Sequence, residues 1–112
     1  MADPIPIVRG TLDLLVLKAL DAGEMHGFEV TSWIEARASG TLDFDDSAVY
    51  QSLYRLEKKA YVESHWGVTE NNRRARYYQI SRAGQRHLKA ETALLLRYTE
   101  TVAGILTAST QA

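Results

Sequence analysis

Residues 47–63 read SAVYQSLYRLEKKAYVE, and the separation of polar from apolar positions in that stretch decides the fold. Val49, Leu53, Leu56 and Ala60 recur at i, i+4, i+7 and i+11, the spacing of one buried stripe on an α-helix. Ser47, Tyr50, Gln51, Tyr54, Arg55 and Lys58 recur at i, i+3, i+4, i+7, i+8 and i+11 on the opposite face. Asp45, Asp46 and Ser47 supply short acceptor side chains and acidic charge where such a helix begins, so this acidic cluster with Asp43 reads as a helix start and not as a metal site.

Three helices are expected up to this point. The first spans about Gly10 to Asp21, with Leu12, Leu15, Val16, Ala19 and Leu20 on one side. Leu14 and Leu17 fall off that stripe, which leaves two readings open: a second face for a partner copy, or a helix covered all round by its own core. Residues 22–27 contain Gly23 and Gly27 and read as a turn. A second helix follows, with Val30, Trp33, Ile34 and Arg37 at helical spacing, Trp33 in the core and Gly40 at its end.

After Ala60 the period changes. Residues 61–66, YVESHW, are strand formers; residues 67–75 make a polar loop; residues 76–80, RYYQI, return as a second strand. The hairpin carries Arg73, Arg74 and Arg76 at its tip. Ser81 caps a last helix from Arg82 to about Thr107, roughly 40 Å long at 1.5 Å per residue. Leu88, Leu95 and Val102 repeat every seven residues with Tyr98 and Ile105 between them, a short coiled-coil seam that something must cover. The fold class is therefore mainly α with a small β-hairpin: a winged helix-turn-helix over residues 1–81 and a dimerisation helix with a short tail over 82–112, packed as one unit.

The charge balance agrees only when it is divided along the chain. The net formal charge is -1. Met1 to Asp46 carries three Lys or Arg against nine Asp or Glu, whereas Ser47 to Ala90 carries nine against three. The basic half contains the polar helix face and the hairpin. A B-form major groove admits one α-helix, and side chains on its outer face must donate to or accept from bases and phosphates. Gln51 suits an adenine edge, Arg55 a guanine or phosphate, and Ser47, Tyr50 and Tyr54 phosphate oxygens, with Lys58 on the same face. Arg73, Arg74 and Arg76 add positive charge for the backbone or minor groove.

Other classes fit less well. The absence of cysteine excludes disulfides and thiolate chemistry. His26, His65 and His87 sit on different expected elements, so neither a catalytic cluster nor a metal or cofactor site is expected. No leader or membrane span is readable, which makes cytoplasmic residence the expectation. A winged helix that docks a protein instead of DNA remains the rival.

The stretches GTLDLLVLKAL (10–20), HGFEV (26–30), SAVYQSLYRLEKKAYVE (47–63) and RRARYYQISRAGQRHL (73–88) resemble the PadR family of bacterial transcriptional regulators in both order and spacing. The resemblance implies a dimeric regulator, usually a repressor, that binds double-stranded operator DNA, pairs through its C-terminal helix and releases DNA on binding a small-molecule effector. A palindromic operator follows from two-fold pairing. With a single helix after the hairpin, the chain looks like the short branch of that family. By the same resemblance Tyr50 and the three wing arginines are DNA contacts, and His26 and Gly27 open a second helix whose amides face phosphate. Phe28 stands where tyrosine is common. Some short members hold flat aromatic drugs between tryptophans of the C-terminal helices; this chain has Trp only at 33 and 66, with Tyr98 as the aromatic side chain on that helix.

Overall fold

The computed structural model describes residues 3–110; residues 1, 2, 111 and 112, which the expected domain limits include, lie outside the described residues. In chain order the elements are β1 (Ile5–Pro6), α1 (Thr11–Ala22), β2 (Met25–His26), α2 (Gly27–Ala38), β3 (Leu42–Asp43), α3 (Asp46–Lys58), β4 (Val62–Val68), β5 (Arg74–Ile80) and α4 (Arg82–Leu106). Four helices with a hairpin between the third and the fourth make this the expected mainly α winged helix.

α1 is the central element. Leu12, Val16, Leu17, Ala19 and Leu20 are all buried, covering more than one side of the helix, and α1 packs on α2, α3, α4 and β5. The covered-core reading of this helix therefore holds for Leu17, which is 0% exposed and already packed within its own chain; its expected place in a dimer seam is corrected. Leu14 stays half-buried at the edge. Leu88 is also part of the core, so the base of α4 packs with the winged domain and its expected place in a dimer seam is corrected.

α3 starts where expected. The Asp45 carboxylate accepts from the Ala48 amide at 2.9 Å, and Val49, Leu53 and Leu56 are fully buried. Ala60 is not the fourth member of that stripe. It lies beyond the helix in the left-handed region, φ 64°, and is exposed, because the chain must turn there into β4. Trp33, expected in the core, is only partly buried and lies under the Arg37 guanidinium, 3.7 Å from ring centroid to Cζ.

The hairpin is longer than its sequence pattern predicts. β4 and β5 pair antiparallel from Val62↔Ile80 to Val68↔Arg74, which leaves only residues 69–73 as the connection. Arg73 is thus in the turn while Arg74 and Arg76 are strand residues. Residues 25 and 26, expected within a turn, form β2, a third strand pairing Met25↔Tyr78 and His26↔Tyr77. β1 and β3 make a separate two-residue parallel pair. The cross-chain register locks the start of α2 to the wing, so three elements converge at one surface.

Candidate nucleic-acid interface

The polar face of α3 emerges as expected. Ser47, Tyr50, Gln51, Tyr54 and Arg55 line a shallow concavity of about 490 Å³, and Lys58 lies one turn on with its Nζ 5.4 Å from the Tyr54 ring centroid. Tyr50 and Tyr54 are 49% and 63% exposed.

Tyr50 is held by a glycine. A Cβ at Gly27 would come within 2.3 Å of Tyr50 Cε1, so only glycine at the first residue of α2 lets the ring lie against the backbone. Tyr50 also connects two surfaces. A second groove, about 620 Å³, runs from His26, Gly27 and Phe28 past Tyr50 to Trp66, Arg73, Arg74 and Arg76 on the wing. Phe28 and Trp66, which sequence reasoning did not place at the interface, are both more than half exposed here. Their signal is the pairing of β2 with β5, which no local pattern contains.

Arg55 is not a free cation. Its Nη2 donates to Asp13 Oδ1 at 2.7 Å and its Nε to Oδ2 at 3.4 Å, while Ser52 Oγ donates to Oδ1 at 2.6 Å. The Asp13 hydrogen bond raises the already high Arg55 pKa, so the guanidinium stays charged, and Nη1 is left for a further acceptor. Asp13, on α1, thereby fixes where Arg55 points.

Arg76 is likewise engaged. Its Nε donates to Ser64 Oγ at 2.9 Å and its Nη2 reaches Glu57 Oε2 at 3.3 Å, while Ser64 Oγ also donates to Glu57. Arg73 and Arg74 donate no side-chain hydrogen bond and form no ion pair among the described residues.

The amides at the start of α2 are open only in part. His26 is the N-cap: its Nδ1 accepts from the Glu29 amide at 3.3 Å, and Glu29 Oε1 accepts from the His26 amide at 3.1 Å. This reciprocal capping box satisfies two of the end amides and brings a carboxylate to the place where a phosphate would sit. The His26 ring meets Tyr77 edge-on at 5.5 Å.

On the far side of Tyr77, His65 stacks at 5.9 Å and bonds Glu24 through Nε2. That bond, followed by the Trp66 carbonyl, raises the His65 pKa above its ordinary value of 6.5. A raised folded-state value means that the contact stabilises the fold fully below about pH 6.5 and is lost as pH rises through the raised pKa. Following the ring protons of His65 by NMR through a pH titration should show its midpoint falling toward the ordinary value in Glu24→Gln; an unmoved midpoint would remove Glu24 as the cause.

Of the expected seam residues, Leu14 and Leu95 line an apolar groove of about 800 Å³ between α1 and α4, together with Leu15, Leu88 and Leu96. Tyr98 and Ile105 are exposed on α4, and Val102 is half-buried.

Comparison with known proteins places this geometry. The model of the transcriptional regulator PadR-like family matches residues 16–90. A transcriptional regulator from Clostridium thermocellum is 26% identical, with a TM-score of 0.76 over 89% of this chain and 93% of that one. A PadR family transcription regulator from Clostridium difficile, 19% identical, superposes with a TM-score of 0.75 over 87% and 99%. Bacillus subtilis PadR in complex with operator DNA is 17% identical and superposes at 0.67 over 77% of this chain and 48% of that one. At these last two identities the likeness is one of fold.

Proposed function

Since the chain belongs to the PadR-like family of transcriptional regulators, we propose that it binds a palindromic duplex operator as a homodimer, represses transcription and lets go on binding a small-molecule effector. The observation that carries this reading is one continuous exposed surface: the Ser47–Lys58 face of α3 and, joined to it through Tyr50, the groove that ends at Arg73 and Arg74. An α-helix with a polar outer face fits the major groove, and a cationic hairpin beside it meets the flanking backbone. Family members act by binding and not by catalysis. A regulator of this kind works in the cytoplasm, and among the described residues no helix is long and apolar enough to cross a membrane.

Roles within the surface follow from donor chemistry. Gln51 carries both a donor and an acceptor and reads a base edge; Ser47, Tyr50, Tyr54 and Lys58 meet phosphates; Arg55, aimed by Asp13, offers Nη1 to a base or phosphate.

The test is a titration of the protein with duplexes selected from a random pool, repeated at several salt concentrations. Affinity should fall steeply with salt, because each neutralised phosphate releases counterions. Gln51→Ala should cost about 1 to 3 kcal/mol at the base it reads while leaving the salt slope alone, and Arg73→Ala should weaken all duplexes and lower that slope by about one. Binding that ignores salt, or no binding to any duplex, would overturn the reading and favour a protein partner for the α3 face.

A further inference from the structure

We propose that Trp66 is a positioning residue for the wing, whose indole presents the Arg74 guanidinium to a DNA phosphate, while Arg76 serves inside the fold and not as a contact. The inference rests on the DNA-binding reading and divides the three wing arginines into distinct roles.

The β4–β5 register sets the geometry. Trp66 pairs directly with Arg76, and Arg74 is two residues back on β5, so all three side chains share one face of the hairpin. Arg74 Cζ stands 4.6 Å from the Trp66 ring centroid and Arg76 Cζ 5.5 Å from it. Their other partners differ. Arg76 is tied to Ser64 and Glu57, so its charge is met by a carboxylate on α3 and its Nε and Nη2 join the wing to that helix. Among the described residues Arg74 has the indole alone.

A guanidinium lying over an aromatic ring is attracted through its face, whereas its N–H donors lie in its plane. Stacking and phosphate binding therefore use different parts of the group and do not compete. A long exposed side chain gives up rotamer freedom when it meets a ligand, and a ring that already limits that freedom lowers the cost. The same chemistry accounts for a tryptophan left 55% exposed on a short hairpin, in the groove that also holds Tyr50 and Arg73.

A double-mutant cycle on the full chain with a mixed-sequence duplex of about 25 base pairs tests the assignment, since phosphate contacts are independent of sequence. Trp66→Leu should lower affinity about 2- to 5-fold, the range set by an exposed cation–π contact, and should have no further effect in an Arg74→Gln background. Trp66→Phe should restore most of the loss. Arg74→Gln should reduce the salt slope by about one and Arg76→Gln should leave it unchanged. Without DNA, the Arg74 Nε–H proton should lose its ring-current shift in Trp66→Leu.

An equal loss from Trp66→Leu in both backgrounds would mean that the indole touches DNA itself and would overturn the proposal. So would an unaltered affinity in a protein that still binds duplex. Failure of the wild-type chain to bind any duplex would instead overturn the reading on which the proposal depends.

Discussion

Gly84→Ala is expected to lower the unfolding free energy by about 1 to 3 kcal/mol, although helix propensity alone favours alanine at such a position by about 1 kcal/mol. The sign is decided by a crossing of backbones. A Cβ on Gly84 would stand 2.1 Å from the carbonyl oxygen of Tyr61 and 2.8 Å from Ile80 Cγ1. The carbonyl cannot swing away, because it accepts from the Ser81 amide at 3.0 Å. Ser81 completes the clamp: its Oγ donates to the Ala60 carbonyl at 2.7 Å and accepts from the Gly84 amide at 3.0 Å. The first turn of α4 is thus pressed against the bend between α3 and the wing, and this contact sets the angle at which the long helix leaves the DNA-binding head. Gly104, on the same helix, has nothing within 4 Å of its would-be Cβ, and Gly104→Ala should stabilise by up to about 1 kcal/mol. Urea unfolding of the two variants beside the wild type gives the answer, and a stabilised Gly84→Ala would mean that the crossing is not this close.

How far the fold could be read in the chain depends on whether each signal is local. α3 was legible because its two faces differ in chemistry at every turn, and α4 because Ser81 and an unbroken run of helix formers bound it. Two-residue strands leave no such trace. β2 exists through Tyr77 and Tyr78, some fifty positions away, and only that pairing carries the start of α2 to the wing. Ala60 shows the reverse failure: it fits the helical period, but the chain turns at Lys59 and Ala60 before the period is used. Leu17 was ambiguous for a sound reason, since an apolar helix position looks alike whether a partner copy or the same chain covers it.

The interface divides along the same line. Residue types and spacing picked out Ser47 to Lys58 and the wing arginines, all of which are exposed side chains. They could not distinguish a free cation from an engaged one. Arg55 meets Asp13 across 42 positions and Arg76 meets Glu57 across 19, and both contacts need the packed fold. The charge available to DNA is consequently smaller than a count of arginines suggests and more closely directed. His26 has a part that spacing did not show: it caps the α2 terminus.

Leu95→Glu is expected to convert the protein to a monomer and to lower operator affinity by about 100-fold or more, since a dimer gains the second half-site as an intramolecular event. The expectation starts from shape. A chain of this length packed as a sphere-like domain has a radius of gyration of about 13 Å. The value here is 16.4 Å, with extents of 64 × 36 × 20 Å, because α4 runs on past the core. Along it Leu94, Leu96, Tyr98, Ile105 and Leu106 are each more than half exposed, an apolar area that a solitary helix would leave in water. Leu95 and Leu14 line both concavities where α1 meets α4, so a second α4 laid into that groove would cover them together. A glutamate at 95 would put a carboxylate into this apolar contact, and a charge removed from water without a close partner disfavours the assembled state strongly. The head should stay folded, because Leu95 is neither a buried core residue nor one of the side chains packed against the core. Sedimentation at micromolar concentration and an operator titration measure the two effects separately. If the dimer persists, the seam lies elsewhere on the chain; if it dissociates while affinity holds, one winged head reads the operator alone and the palindrome is unnecessary.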